Sequence, residues 1–199
     1  FLFNLLMMHY AGEDGVAAYG VIMYAVMIFA AIFEGYCMGC APLMSYQHGA
    51  RNTSEMRSLL AKSLRVVACG GIVMFALAEL LAAPLAQIFT GYDAGLFALT
   101  VHAFRVYAFA LCFMGISMYG SSLFTALGNG LVSALIAFLR TLVFEVGAVL
   151  LLPLVMGADG IWYSVIVAEL VSFALTIVLL FWLSPYYGLR GKKDVSQRA

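Results

Sequence analysis

The chain has 199 residues, of which 65% are hydrophobic and only 10% are charged. Soluble domains carry about 25% charged residues, so this composition excludes an ordinary soluble protein and predicts an integral membrane protein. Ten basic and ten acidic side chains give a net charge of zero, which offers no basis for binding nucleic acid.

Long apolar segments follow one another along the chain, separated by short polar stretches. A helix needs about 20 apolar residues to cross a bilayer, whereas a barrel strand needs about 10 residues of alternating character. The segments are long and do not alternate, so we predict an all-α membrane protein. Its polytopic bundle has five full transmembrane helices and one truncated N-terminal helix. The predicted spans are residues 1–10 (partial), 16–47, 63–89, 96–127, 131–156 and 161–183.

The first element begins inside an apolar run that is too short to span a bilayer. We therefore interpret residues 1–10 as the end of a helix and expect the chain to be a fragment. Residues 11–15 contain two glycines and two acids, which predicts a loop. Residues 1–189 should form one transmembrane lobe, and residues 190–199 a basic cytoplasmic tail.

The second span contains two glycines one helical turn apart, Gly35 and Gly39, followed by Pro42. Glycines at this spacing allow another helix to approach closely, and a proline within a helix usually kinks it. We predict a bent helix whose glycines pack against a neighbour within the same lobe rather than contact substrate.

The polar stretches alternate in charge along the chain. Eight of the ten basic residues belong to residues 49–65 or to residues 190–199, whereas the turns at residues 11–15, 90–95 and 157–160 carry acids and no basic residue. The positive-inside rule then places the C-terminus in the cytoplasm of a multi-pass protein of the cell (inner) membrane, which we expect to be bacterial.

Six charged residues lie within the predicted spans: Glu34, Glu79, Arg105, Arg140, Glu145 and Glu169. Such residues usually face a bundle interior or a cavity, often with a partner. Depth along the spans suggests the pairs Arg105–Glu79 and Arg140–Glu34. Glu145 lies about 140° around an α-helix from Arg140, so these two should not share a face. The acids either take up a proton or a cation, or serve as structural partners.

Motifs for catalysis or for a cofactor are missing from the sequence. Cys37 and Cys40 form a CxxC, but no second pair accompanies them, and both fit a role as small packing residues. The sequence has no glycine-rich phosphate loop and no hydrolase or zinc-protease motif. We therefore expect neither an enzyme nor a bound cofactor or metal.

One stretch of the second span resembles a known family. The pattern Gly35-x3-Gly39-x2-Pro42-x2-Ser45-Tyr46-x2-Gly49-Ala50 is similar to the second helix in the C-terminal lobe of multidrug and toxic compound extrusion (MATE) transporters. Further matching stretches follow in the same order: Phe104-Arg105-x-Tyr107, Phe124-x-Ala126-Leu127-Gly128, Leu139-Arg140, Gly160-Ile161-Trp162 and Ala168-Glu169.

This resemblance implies helices seven (partial) to twelve of a two-lobe transporter. Its members export cationic or amphipathic compounds in exchange for H⁺ or Na⁺. The partners would be membrane lipid, those small molecules and the missing N-terminal lobe. The family's coupling acids lie in helices that are absent or truncated here, so none is carried over.

Candidates for the substrate or ion pathway are Arg105, Arg140, Glu145, Glu169 and Glu34, although the position of Glu34 is commonly uncharged in the family that the chain resembles. The alternatives are a lipid-linked oligosaccharide flippase of the same superfamily, which would need cationic residues in its cavity, and a non-transporting membrane protein.

Overall fold

The computed structural model describes residues 2–189, which form helices joined by short turns and contain no strand. The helices are α1 (Leu2–Gly49), α2 (Thr53–Thr90), α3 (Ala94–Ala126), α4 (Gly130–Phe138), α5 (Val146–Met156) and α6 (Ala158–Leu183). A π-helical segment, Leu139–Glu145, joins α4 to α5, so that Gly130–Met156 forms one span. Five helices are long and apolar enough to cross a membrane, which confirms the predicted fold class. The predicted basic tail lies outside the described residues.

The chain reverses direction at Gly12, whose φ of 66° and ψ of −157° interrupt α1. The rings of Phe3 and Tyr19 stack with centroids 5.3 Å apart, although the sixteen steps between them would cover about 24 Å of straight helix. Residues 2–11 therefore run antiparallel to the rest of α1, as expected of a partial span. The predicted loop at residues 11–15 is wrong in its extent, because a single glycine with positive φ makes the turn.

The polar segment between residues 49 and 62 is mostly helical. Only residues 50–52 form a turn, and Asn52 caps the N-terminus of α2 by accepting a hydrogen bond from the backbone N–H of Glu55 at 3.2 Å. A cap of this kind lets a helix begin in polar sequence, before the apolar span starts. α2 therefore begins ten residues before the predicted span, at Thr53 rather than at residue 63.

α3 lies at the centre of the bundle and packs against α1, α2, α4 and α6. Its contact with α2 is close because Gly71 faces the backbone of α3. A Cβ atom at Gly71 would lie 3.1 Å from the carbonyl oxygen of Cys112. Gly115 on α3 likewise leaves room for the ring of Phe33. Small residues at these positions allow helices to approach in a membrane, where packing rather than water exclusion drives association.

Gly35 and Gly39 do not serve this purpose, and the prediction that they pack within the lobe is wrong. Both are exposed, and a Cβ atom at either position would meet nothing within 4 Å. Pro42 is also exposed, and α1 continues through it as helix, so the break in α1 lies at Gly12 rather than at the proline. These three residues belong to a face of α1 that no other described helix covers.

The two ends of the bundle differ in charge. One end, called here the basic end, contains the turns at residues 50–52 and 127–129 and the segment of residues 184–189 that follows α6. The opposite, acidic end contains Gly12, the turn at Asp93 and the start of α6. At the acidic end His102 approaches Asp159 at 3.5 Å between the side-chain nitrogen and oxygen.

Candidate functional site

A buried ion pair joins the π-helical segment to α6. The Arg140 guanidinium donates to both carboxylate oxygens of Glu169, with Nη2–Oε1 at 2.7 Å, Nε–Oε1 at 3.0 Å and Nε–Oε2 at 3.2 Å. The Glu169 side chain is 8% exposed and that of Arg140 is 23% exposed. Charge-assisted pairs with several hydrogen bonds are strong and directional, so this contact fixes the rotation of α6 against the π-helical segment.

The predicted pairing of Arg140 with Glu34 is wrong. Glu34 is exposed on α1, whereas Arg140 points to α6. Depth along the spans gave similar levels for both residues, but depth carries no information on the direction in which a side chain points around its helix. That direction decides which partner is within reach.

The expectation that Arg140 and Glu145 do not share a face is wrong, because it assumed α-helical geometry at this point of the chain. In a π-helix each N–H bonds to the carbonyl five residues earlier, so residues five apart lie nearly above one another. Both residues belong to the segment Leu139–Glu145. The charges of Arg140 and Glu169 act on the Glu145 carboxylate, which places the three groups in one cluster. We call Arg140, Glu145 and Glu169 the charged cluster.

Two tyrosines border the charged cluster. Tyr107 on α3 is 6% exposed and lies within the electrostatic influence of all three charges. Tyr19 on α1 lies within the influence of Glu145. The cluster therefore lies between the π-helical segment and α6, with Tyr107 of α3 and Tyr19 of α1 at its border. The predicted site residues include neither tyrosine, because no local sequence signal indicates which aromatic residue will face a distant charge.

The charged cluster contains one carboxylate more than it contains cationic groups. Arg140 balances Glu169 and leaves Glu145 without a partner of its own among residues 2–189. Such a surplus inside a helix bundle can be balanced by a proton or by a small cation. Within the same residues no group of three His, Cys, Asp or Glu side chains is arranged to hold a metal ion.

Arg105 and Glu79 form a separate pair between α3 and α2, as predicted. The Arg105 Nε lies 3.6 Å from Glu79 Oε2, and the two side chains are 57% and 32% exposed. The greater exposure and the longer distance make this a looser pair than Arg140–Glu169. Arg105 thus takes no part in the charged cluster.

Glu34 lies on the uncovered face of α1, together with Gly35, Met38 and Gly39, all of which are exposed. We call this surface the open face of α1. Glu34 precedes the end of α1 by about 22 Å at 1.5 Å per residue, so it lies well within the membrane-spanning part. A carboxylate at that depth is costly against lipid, which indicates that the open face borders a cavity or another part of a larger protein.

The sequence model of the MatE family matches residues 1–150. The chain belongs to the MatE family. MatE proteins are transporters and not enzymes, and this membership agrees with the five apolar helices of a multi-pass membrane protein. No curated protein matches the sequence.

Solved transporter structures share the fold. An outward-facing multidrug resistance MATE transporter of the MOP superfamily superposes with a TM-score of 0.87 at 20% identity, covering 94% of this chain and 42% of that one. An inward-facing MATE transporter superposes with a TM-score of 0.84 at 21% identity, covering 98% of this chain and 44% of that one. A MOP superfamily transporter from Pyrococcus furiosus superposes with a TM-score of 0.86 at 20% identity, covering 94% of this chain and 42% of that one. The chain thus spans less than half the length of these transporter structures, as one lobe would.

Proposed function

We propose that this chain is one lobe of a MatE secondary antiporter that exports cationic or amphipathic compounds in exchange for H⁺ or Na⁺. The observation that carries the proposal is the charged cluster, in which Glu145 adds a second carboxylate to the buried Arg140–Glu169 pair. A secondary transporter needs a site inside its bundle that exists in two charge states, and a surplus carboxylate supplies one.

Uptake of the coupling ion would act through the packing of the π-helical segment. With the ion absent, the negative charge of Glu145 has no partner of its own beside the Arg140–Glu169 pair. With a proton or Na⁺ bound, Glu145 is neutralised and Arg140 interacts with Glu169 alone. Because the cluster lies among α1, α3 and α6, this change alters how those helices pack. An ion that binds one arrangement better than another shifts the population of states by that difference in affinity.

The open face of α1 is proposed to border the substrate. Glu34 would attract the cationic part of a compound, and the exposed side chains of Met27 and Met38 lie two turns and one turn away on the same side of the helix. Methionine is flexible and polarizable and adapts to ligands of different shape. Such a surface suits amphipathic cations better than a single rigid substrate.

The similarity to both an outward-facing and an inward-facing structure supports a lobe that moves as one rigid body. The fold superposes with similar TM-scores on an outward-facing and an inward-facing transporter. A lobe that keeps its fold in both states supports alternating access by rocking of one lobe against the other. The basic end would lie on the cytoplasmic side of the cell membrane.

The flippase alternative receives less support. An anionic lipid-linked oligosaccharide calls for free cationic side chains in the cavity, but Arg105 and Arg140, the two arginines predicted within the spans, are each paired with a glutamate. Neither is available to an anionic substrate without breaking its pair.

Transport by the full-length protein that contains this lobe tests the proposal. Proteoliposomes loaded with ethidium, a fluorescent cation, should move it when a pH or Na⁺ gradient is imposed, and an ionophore that collapses the gradient should stop the movement. Transport that persists after the gradient is collapsed and instead requires ATP would contradict an antiporter.

A further inference from the structure

A cavity of about 330 Å³ opens at the basic end, between the turn that follows α1 and residues 184–189 after α6. We call it the end pocket. Its polar lining includes His48, Arg51, Thr53 and Tyr186, and its apolar lining includes Met56 and Pro185. The charged cluster and the open face of α1 are elsewhere in the lobe, so the end pocket is unexplained by the proposed transport chemistry.

The wall of the end pocket formed by residues 184–189 is held in place. The Arg57 Nε donates a hydrogen bond to the Gly188 carbonyl at 2.8 Å, and the Asn129 side-chain amide donates to the Tyr187 hydroxyl at 2.8 Å. The Tyr187 ring is 9% exposed and packs edge-on against His48 at 5.9 Å between centroids. The pocket is therefore bounded by fixed groups from α1, α2 and the segment after α6.

The charge of the end pocket is positive. Arg51 lines it, and within residues 2–189 no ion pair or hydrogen bond engages the Arg51 side chain. Arg51 is also the one described residue other than glycine with a positive φ, at 54°, a conformation that is uncommon for such a residue. Arg57, bonded to Gly188, stands at the border of the pocket. Glu55 is exposed nearby and is paired with neither arginine.

The end pocket lies at the level of lipid head groups. Tyr46, Trp182 and Tyr186 are 72%, 75% and 82% exposed around the basic end. Aromatic side chains with one polar tip concentrate at the boundary between hydrocarbon and water. A basic pocket between helix ends at this boundary has the chemistry that recognises an anionic head group.

We propose that the end pocket binds the phosphate of an anionic phospholipid. Arg51 supplies the cationic donor, and the His48 imidazole and the hydroxyls of Thr53 and Tyr186 supply further polar groups. The apolar walls at Met56 and Pro185 favour a lipid over free phosphate, because only the lipid brings glycerol and acyl carbons to cover them. Bound lipid would tie the turn after α1 to the end of α6.

Native mass spectrometry of the detergent-purified chain tests this site. Titration with phosphatidylglycerol should give about fivefold more lipid-bound protein than titration with phosphatidylcholine, the factor expected for one basic side chain acting on an anionic lipid. Arg51→Gly should abolish that preference, because glycine accepts the positive φ but carries no charge. Arg51→Lys should retain most of it. An excess of inorganic phosphate should not displace the lipid.

A matched control separates a pocket from general surface charge. Lys62 is exposed at the same end and does not line the pocket, so Lys62→Gln removes the same charge and should leave the preference intact. Equal losses in Arg51→Gly and Lys62→Gln would overturn the proposal, and displacement by inorganic phosphate would overturn the choice of a lipid. Arg51→Gln provides a second pocket variant that removes the same charge, and it should also lower the preference, even if Arg51→Gly does not fold.

Discussion

Arg140 and Glu169 form a buried, multiply hydrogen-bonded ion pair between the π-helical segment and α6, with a shortest contact of 2.7 Å. Breaking a buried pair by removing one partner leaves an uncompensated charge, whereas removing both partners together is often nearly neutral. The pair therefore makes the position of α6 depend on two side chains that are 29 residues apart in sequence.

The first prediction concerns the stability of the lobe. Arg140→Leu should destabilise it by about 3–5 kcal/mol, because two carboxylates then remain without a cation. The double variant Arg140→Leu/Glu169→Leu should recover most of that loss. Thermal unfolding in detergent, followed by fluorescence-detected size exclusion, measures both. Equal destabilisation in the single and double variants would show that the pair does not hold α6.

The second prediction concerns ion coupling in the full-length transporter. Glu145→Gln keeps the size of the side chain but removes the surplus carboxylate of the charged cluster. Gradient-driven ethidium movement in proteoliposomes should fall about tenfold or more, corresponding to a loss of at least 1.4 kcal/mol in ion affinity.

Glu79→Gln is the matched control for Glu145→Gln. It also replaces a glutamate within a span, but one that forms a partly exposed pair with Arg105. Because Glu79 lies outside the charged cluster, this variant should keep gradient-driven transport, even where the loss of the partner of Arg105 lowers its thermal stability. If both variants lose coupling equally, the charged cluster is not the coupling site.

The third prediction concerns the choice of substrate. Glu34→Gln should raise the KM for a permanently cationic compound about tenfold, the effect of 1.4 kcal/mol of lost attraction, and should leave the KM for an uncharged amphipathic compound unchanged. Glu55→Gln, which neutralises an exposed acid at the basic end, should change neither value. A parallel rise for both compounds would assign Glu34 a role in folding rather than in recognition.

The fourth prediction distinguishes glycines that pack from glycines that do not. Gly71→Ala places a Cβ atom 3.1–3.3 Å from backbone atoms of α3 and should destabilise the lobe by about 1–3 kcal/mol. Gly35→Ala and Gly39→Ala meet nothing within the lobe and should leave its thermal midpoint equal or higher, since alanine favours helix. Destabilisation of the lobe by Gly35→Ala would show that the open face is covered.

Local chemistry accounts for the part of the fold that the sequence predicts well. The transfer of about 20 apolar residues into a bilayer is a property of each segment by itself, so span number and helical class follow from the chain alone. The Arg105–Glu79 pair was also predictable, because α2 and α3 are consecutive and joined by a short turn at the acidic end.

The candidate site could not be predicted in full, because it depends on how side chains from different helices are oriented toward one another. The sequence offers Arg140, Glu145 and Glu169 as charges in apolar surroundings, but the π-helical geometry that aligns the first two is invisible in residues 139–145. The choice of Glu169 over Glu34 required the rotation of each helix about its axis, which packing around α3 fixes.

Glycine shows the same division between sequence and tertiary structure. Gly35 and Gly39 have the spacing of a packing motif, yet they face open space, whereas Gly71 and Gly115 have no such motif and make the close contacts. By itself the sequence determined the class of protein, the number of spans and the family resemblance, because hydropathy and local motifs decide them. Only the tertiary structure decided which charges and which glycines meet, because those contacts depend on how helices distant in sequence rotate and pack against one another.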